Sequence, residues 1–198
     1  MTDRLDIARK IVEDTCSNRR LKLESIQMFS EIIRCRKFHK GESILSDGEV
    51  CTSLSYIEKG LTRQHYMKHD KDMTEHISCE GHVVFCIDSY FHGTPTHLLV
   101  EALEPTIIWE MPRDRMEALA ETNPDLAYLY RRFIEDSLIL SQTKADILRF
   151  ESAKDRYTKL LQLFPEIIRR APLTYVASYL QMSLETLSRV RASISTQP

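Results

Sequence analysis

The spacing of apolar and polar residues divides the chain into three zones. In residues 1–32 apolar side chains recur at helical intervals, as at Leu5, Ile7 and Ile11. From Arg34 to Pro112 this period is lost, and short runs typical of strands, such as SLSYIEK, LTRQHYM, EHISC and TIIWEM, alternate with turn signals. The turn signals are Lys40-Gly41-Glu42, Asp47-Gly48-Glu49, Lys59-Gly60, Asp70-Lys71-Asp72 and Glu80-Gly81. Short strands at this spacing predict an antiparallel sandwich or barrel.

After Pro112 the pattern is almost entirely helical. No Gly or Pro interrupts the chain between Pro124 and Phe150, which predicts one long helix. Its apolar stripe has alternating spacings of four and three, as in the seam between two helices, and consists of Leu126, Tyr130, Phe133, Ser137 and Leu140. Two interpretations stay open. The stripe packs on its own domain, or it pairs two subunits, and the C-terminal sequence favours the second.

The stretch PLTYVASYLQMSLETLSRVRASI predicts two short helices joined by a tight turn. Thr174 can cap the first helix through its hydroxyl, and Ser183 can cap the second. In the second helix one side is apolar and consists of Leu184, Leu187, Val190 and Ile194. The opposite side consists of Glu185, Ser188, Arg189 and Ala192. A second helix with a core-facing back and a polar front is the pattern of a helix-turn-helix.

The polar front has chemistry suited to reading DNA. Arg189 can pair with O6 and N7 of guanine, Glu185 can accept from N4 of cytosine, and Ser188 can bond a base or a phosphate. Further candidates for contact with DNA are Thr174, Ser183, Thr186, Arg169, Arg170 and Arg191. From periodicity alone, an ordinary exposed helical hairpin remains the alternative.

Charge adds a weak argument in the same direction. The chain has 198 residues and a net charge of -2, which does not by itself attract nucleic acid. From Phe150 to Pro198, however, seven Lys and Arg face four Asp and Glu, so this part carries +3 and the rest carries -5. The asymmetry fits a basic module attached to an acidic one.

Other chemistry is poorly supported by the residue pattern. The five cysteines are odd in number and form no C-x-x-C, which argues against a disulfide framework. No apolar run is long enough to span a membrane, and the N-terminus does not resemble a signal peptide, so a cytosolic protein is expected. Six of the seven histidines in the middle zone, His65, His69, His76, His82, His92 and His97, show no spacing specific for a metal or haem. A redox role for Cys79 or Cys86 stays open, because it depends on exposure.

The C-terminal motif is similar to that of a known family. The segment RYTKLLQLFPEIIRRAPLTYVASYLQMSLETLSRVRASI resembles the DNA-binding domain of bacterial Crp/Fnr transcription regulators, and its E-x-x-S-R pattern resembles their Fnr-type recognition helix. The stretch FHKGESILSDGEVCTSLSYIEKGLTRQHY is similar to the opening strands of that family's cyclic-nucleotide-binding β-roll. GHVVF and VEALE resemble later strands, and the resemblance extends from about residue 20 to residue 194.

The resemblance implies an α+β protein in three parts. Residues 1–123 would hold N-terminal helices and an antiparallel, jelly-roll-like sensor domain, 124–149 a dimerisation helix, and 150–198 an all-α helix-turn-helix domain. By analogy with the family pocket, the effector site would involve Phe85, Cys86, Ile87, Asp88, Ser89, Thr96 and His97.

The chain departs from the family pattern in the sensor domain. Relatives that bind cyclic AMP hold it with a Gly-Glu pair and a later Arg, and these positions contain Cys86, Ile87 and Thr96. Without the Arg, a buried cyclic phosphate loses a contact of about 1.5–3 kcal/mol. We therefore expect no tight binding of cyclic AMP. Only Cys16 precedes residue 30, which argues against the iron–sulfur cluster of the oxygen-sensing Fnr branch.

A second departure lies in the helix-turn-helix. The family often has Gly between the two helices, where this chain has Gln181. A left-handed backbone there would cost about 1–2 kcal/mol for a residue with a Cβ. The sequence after the second helix is also too short for the β-wing of many relatives.

Together these features predict a homodimeric, sequence-specific transcription regulator that is not an enzyme and has no cofactor. Its expected partners are double-stranded DNA, a second copy of the chain, an unidentified small-molecule effector and RNA polymerase. Two alternatives stay open: a ligand-binding or scaffold β-roll that has lost DNA binding, and an enzyme built on a roll as in cupins. The second would need a clustered metal triad or an acid–base pair, which the spacing does not show.

Overall fold

The computed structural model describes residues 3–195, which form an α+β fold. The helices are α1 (Arg4–Thr15), α2 (Leu23–Ile32), α3 (Ile87–His92), α4 (Arg113–Thr122), α5 (Pro124–Phe150), α6 (Ala153–Leu163), α7 (Pro165–Arg170), α8 (Leu173–Tyr179) and α9 (Leu184–Ser195). The strands are β1 (Arg34–Phe38), β2 (Ser43–Leu45), β3 (Ser53–Lys59), β4 (Thr62–Lys68), β5 (Lys71–Ser78), β6 (Val83–Val84), β7 (Leu99–Ala102) and β8 (Thr106–Pro112).

The strands form two four-stranded antiparallel sheets, with the orders β1-β8-β3-β6 and β2-β7-β4-β5. Each turn predicted from the sequence separates two consecutive strands. The predicted antiparallel roll is therefore confirmed.

One glycine of these turns is required by close packing. Gly60 connects β3 to β4 with a φ of +111°, a conformation that side chains disfavour. A Cβ at this position would lie 2.7 Å from the Cα of Thr106, so the two segments could not approach as they do.

The first core lies between the sheets and extends to the N-terminal helices and the start of α5. Ile7 and Ile11 of α1 are fully buried in it, with Leu126 and Phe133 of α5. The junction is polar as well, because Asp125 accepts hydrogen bonds from Arg19 and other groups at the start of α2. The N-terminal segment and α5 therefore pack on the roll as one body.

The apolar stripe predicted as a subunit seam faces this core. Leu126 and Phe133 are buried within their own chain, and the Tyr130 hydroxyl lies 3.1 Å from that of Tyr90. Ser137 and Leu140 line cavities beside the roll. Alternating spacings of three and four mark a packing face without identifying what packs on it, so the assignment of Leu126 and Phe133 to a seam is wrong.

The row one residue further along α5 is left partly uncovered. It consists of Ala127, Arg131, Ile134, Leu138, Ser141, Ala145 and Leu148, each half-buried or exposed. Leu138 lies near its middle and is 65% exposed. This row has the same heptad spacing as the predicted seam.

A second core joins the C-terminal helices to the roll. Leu187 of α9 and Val176 of α8 are fully buried in it, together with Leu61 and Ile77 from the roll. Helix α8 thus packs against strand β5, and α6, α7 and α9 contribute to the same core.

Candidate functional site

Helices α8 and α9 form the helix-turn-helix that the sequence predicts. The first helix begins at Leu173, two residues earlier than a cap at Thr174 would allow. Its N-cap is Pro172, whose carbonyl accepts from the amides of Tyr175 and Val176. Thr174 therefore lies inside the first turn, and its predicted capping role is wrong because helical backbone starts at Leu173. Its side chain is exposed and remains available to an external ligand.

The turn between the two helices has a left-handed residue at the position where the family often has Gly. Gln181 has a φ of +51°. The Met182 amide donates to the carbonyl of Ala177 at 3.0 Å, which closes the turn as in a Schellman cap. Arg156 of α6 donates to the Leu180 carbonyl at 2.7 Å. This contact stabilises the turn and was missed from the sequence, since nothing in the local pattern links residues 156 and 180.

Ser183 caps α9 as predicted. Its Oγ accepts from the Thr186 amide at 3.1 Å, and its hydroxyl lies 2.9 Å from that of Thr186. Both side chains are therefore used within the cap. On the apolar side of α9, Leu187 is fully buried but Leu184 is 44% exposed, because the first turn projects beyond the core.

The polar front of α9 is presented to solvent. The side chains of Glu185 and Arg189 are 80% and 71% exposed, and Ser188 is exposed between them. The Arg189 guanidinium lies 3.8 Å from the Glu185 carboxylate. An exposed ion pair at this distance is weak, so both groups are available to another partner. A helix with a buried back and an Arg, a Ser and a Glu in front can enter a major groove.

The two arginines of α7 have different surroundings. Arg169 is 72% exposed and bonds only its own helix through Glu166 among the contacts of the described chain. Arg170 is 18% exposed and binds Glu80 through both terminal nitrogens, at 2.8 and 2.9 Å, and also Glu104. Arg170 is therefore held by the roll, and its predicted role as a phosphate contact is wrong. The local sequence could not indicate these contacts, because the two carboxylates lie 66 and 90 residues away from Arg170.

The contact between Arg170 and Glu80, which we call the α7 clamp, perturbs both groups. Burial raises the pKa of Glu80, but hydrogen bonds from Arg170 and the Gly60 amide outweigh it and lower the pKa to about 2. Hydrogen bonds to Glu80 and Glu104 raise the pKa of Arg170. The clamp is thus a charged contact at neutral pH.

A second contact attaches α8 to the edge of the roll. Arg63 of β4 is almost fully buried and binds Glu101 at 3.0 Å, and its guanidinium lies 3.7 Å from the centre of the Tyr175 ring. The Ser178 hydroxyl accepts from the Thr74 amide at 2.8 Å. Because β5 is an edge strand, this amide would otherwise lack a partner in the sheet. Helix α8 therefore closes the sheet edge.

Lys144 connects α5 to the same region. Its ammonium donates to the Glu75 carboxylate at 2.8 Å and lies 5.1 Å from the centre of the Tyr179 ring. Burial lowers the pKa of Lys144, while the contacts with Glu75 oppose this. Helix α5, strand β5 and helix α8 thus meet at one buried cation, which the sequence analysis missed.

A cavity of about 240 Å³ lies between the roll and α5. Its lining includes three of the predicted effector residues, Phe85, Ile87 and Asp88. The ionisable groups of the lining are Glu75, His76 and Asp88. Burial lowers the pKa of His76 to about 4, so this ring is neutral at pH 7. No Lys or Arg lines the cavity, whose lining lies wholly within the described chain.

The other predicted effector residues do not line this cavity. Ser89 is buried in bonds to the Cys51 amide and the Thr94 carbonyl. The side chain of His97 is 91% exposed beside Asp47. Cys86 and Thr96 are buried, and Thr96 Oγ1 accepts from the Leu98 amide. Ser89 lies in α3 and is turned away from the cavity, while Thr96 and His97 lie beyond the end of this helix, where their side chains bond Leu98 and Asp47 instead.

Two negative observations concern the described residues 3–195. No group of three His, Cys, Asp or Glu is placed to hold a metal ion. None of the helices in this range has the length and hydropathy needed to cross a membrane.

The fold and the helix-turn-helix together define a class: a roll of the cyclic-nucleotide-binding type joined by a long helix to a C-terminal helix-turn-helix domain. Residues 35–123 match the family model described as cyclic nucleotide-binding domain. No curated protein is detectably similar to the chain in sequence.

Solved structures of Crp/Fnr regulators share the fold over most of their length. FixK2 from Bradyrhizobium japonicum is 20% identical, with 84% of this chain and 86% of that chain covered and a TM-score of 0.68. The global regulator CLP from Xanthomonas campestris, described as responsive to c-di-GMP, is 16% identical, with coverages of 88% and 92% and a TM-score of 0.66. The catabolite activator protein of Thermus thermophilus is 20% identical, with coverages of 88% and 84% and a TM-score of 0.53. The resemblance to Crp/Fnr regulators is therefore confirmed at the level of the fold.

Proposed function

We propose that the protein is a sequence-specific DNA-binding transcription regulator that acts as a homodimer in the cytoplasm. The observation that carries this proposal is the exposed front of α9, where Glu185, Ser188 and Arg189 project from a helix fixed by the buried Leu187. Arg189 is the main base-reading residue and Glu185 the second. Arg169 and Thr174 are exposed close by in sequence and would contact phosphates.

The subunits of the dimer would pair through the uncovered row of α5. Leu138 is exposed near its middle, and Ile134, Ser141 and Ala145 have the spacing of a two-helix seam. Two-fold pairing would give two copies of α9, which read half-sites about 34 Å apart on a near-palindromic operator. Paired recognition helices explain why a domain with few basic residues could still bind one site tightly.

The effector cavity favours a ligand other than a cyclic nucleotide. A cyclic phosphate would meet the carboxylates of Glu75 and Asp88 and a neutral His76, without a lining cation. Burying an anion where the lining offers no cation to pair with it is costly. We therefore propose that the effector is a small neutral or cationic molecule that hydrogen-bonds these groups.

Binding of genomic duplex DNA at several salt concentrations tests the proposed function. Affinity should fall steeply as salt rises, because each phosphate contact releases counterions. The Arg189→Ala variant should lose its preference for particular fragments, whereas Arg115→Ala, an exposed arginine of α4, should not. A wild-type protein without salt-dependent binding would indicate instead a roll that binds ligands or partners without DNA.

Calorimetry with cyclic AMP tests the assignment of the effector cavity. We expect no binding in the micromolar range. An affinity of about 1 µM or better, near -8 kcal/mol, would contradict the account of the cavity.

A further inference from the structure

Two cysteines from distant parts of the sequence meet inside the roll. All five cysteines of the chain are free thiols, and four of them are buried. Cys51 lies just before β3, and Cys86 lies at the N-cap of α3. This pair plays no part in the proposed reading of DNA, so an inference about it stands independently of that function.

Their hydrogen bonds fix the two residues side by side. The Cys86 amide donates to Cys51 Sγ at 3.4 Å, and each thiol donates to a nearby carbonyl at 3.5 Å, Cys51 to that of Ser53 and Cys86 to that of Leu98. The sulfur of Cys86 is only three bonds from this amide nitrogen, so the two sulfur atoms lie close enough for a rotation of the Cys86 side chain to bring them together. The Ser89 hydroxyl holds the Cys51 amide at 2.9 Å, which keeps the loop before β3 against α3.

Small molecules can reach Cys51 although its own surface is buried. It lines a cavity of about 370 Å³ between the two sheets. This cavity differs from the cavity beside α5, because the two linings have only Phe85 in common. The cavity wall includes the exposed residues Arg36 and Glu49, so the cavity opens to solvent there. This volume admits a small organic molecule.

The environment of Cys51 favours its thiolate over that of its neighbour. The neighbouring Cys86, through its thiol and its amide, lowers the pKa of Cys51 to about 7 against the effect of burial. The same thiol–thiol contact and burial raise the pKa of Cys86. The charge of Glu110 acts to raise the pKa of Cys51, but this carboxylate is paired with Arg36 at 2.8 Å. Cys51 is thus suited to attack an oxidant as a thiolate, and Cys86 is suited to form a disulfide with the oxidised Cys51.

We propose that Cys51 and Cys86 form a peroxide-reactive dithiol in which Cys51 is the attacking thiol and Cys86 the resolving one. The Cys51 thiolate attacks one oxygen of a hydroperoxide, the O–O bond breaks, and the leaving oxygen takes a proton to form water or an alcohol. The resulting Cys51 sulfenic acid is attacked by the Cys86 sulfur. The S–O bond breaks and water leaves with the Cys86 proton. The two thiols lose two electrons and become a disulfide, and the peroxide is reduced.

Peptide mapping of the oxidised wild-type protein tests this assignment without any substitution. The purified chain is treated with hydrogen peroxide or tert-butyl hydroperoxide, remaining thiols are blocked, and the protein is digested without reductant by trypsin and a Glu-specific protease. Cleavage after Glu80 separates Cys79 from Cys86. The expected product is a peptide containing Cys51 linked to one containing Cys86, two hydrogens lighter than the pair and released by dithiothreitol.

Variants distinguish the attacking from the resolving thiol. Cys86→Ser should stop at a sulfenic acid on Cys51 that dimedone traps, whereas Cys51→Ser should leave Cys86 reduced. Cys35→Ser removes the exposed thiol and should leave the cross-link unchanged. The proposal is overturned if Cys51 stays reduced while Cys35 oxidises, or if Cys51 oxidises in the wild type without forming a bond to Cys86.

Discussion

Gln181 adopts the left-handed backbone conformation between α8 and α9 that glycine would adopt without strain. The turn nevertheless forms, because Arg156 binds its carbonyls and the Met182 amide closes it. The sequence at this position indicates that a left-handed conformation would be strained. It does not reveal the stabilising contact, because Arg156 lies in a helix 25 residues earlier.

Gln181→Gly should therefore stabilise the protein. We expect the free energy of unfolding to rise by about 1 kcal/mol, because the strain of a Cβ in this region exceeds the extra entropy of an unfolded glycine. Urea denaturation measures the change. Gln142→Gly, at an exposed position within α5, should instead lower stability by about 1 kcal/mol. Equal losses in both variants would mean that Gln181 is not strained.

Site residues with local signatures were the ones that the sequence could identify. Ser183 precedes a periodic apolar run, and the structure confirms that it caps α9. Arg170 looked equivalent to Arg169 because they are adjacent, yet only Arg170 faces carboxylates of the roll. Long-range partners of this kind leave no pattern in the local sequence.

At the scale of elements, the α7 clamp and the contacts of Arg63 and Lys144 attach the helix-turn-helix to the roll. In each of these contacts a largely buried cationic side chain lies between the roll and the C-terminal helices. An effector that acts on the orientation of α9 must change the energy of such contacts. The element order was predictable from periodicity, whereas the docking of α8 on the edge strand β5 was not.

Arg170→Gln should loosen this attachment. Losing charged hydrogen bonds to Glu80 and Glu104 should lower the stability of the docked state by about 2 kcal/mol. Amide hydrogen exchange should then rise in α7, in α8 and in β5. Arg169→Gln removes an exposed arginine of the same helix and should leave exchange unchanged. If both variants exchanged like the wild type, the clamp would have no part in docking.

The uncovered row of α5 makes a separate prediction. Leu138→Glu places a charge at the proposed seam and should shift the dimer towards monomer in sedimentation velocity, because like charges would meet across the two-fold axis. Met67→Glu changes an apolar side chain of β4 with 62% exposure and should leave the dimer intact. A Leu138→Glu variant that sediments as the wild type does would place the subunit contact elsewhere.

For the whole molecule, the order of roll, long helix and helix-turn-helix could be derived from three separate zones of the sequence, and the fold agrees. The row of α5 that the chain leaves partly uncovered could not be derived. Two heptad rows one residue apart have the same spacing, and only the packing of Leu126 and Phe133 on the roll distinguishes them. Some residues predicted for an effector site were misplaced for a related reason, since α3 turns Ser89 away from the cavity beside α5.

Selection of bound fragments from the source genome, by the wild-type protein beside Arg189→Ala, tests the central claim most directly. The account predicts that the wild type enriches one two-fold-symmetric motif with half-sites about one helical turn apart. The variant should lose about 1–3 kcal/mol at that site and relax one base position in each half. Enrichment of the same motif with equal selectivity by both proteins would contradict the role of Arg189, and enrichment of no motif by the wild type would contradict a sequence-specific regulator.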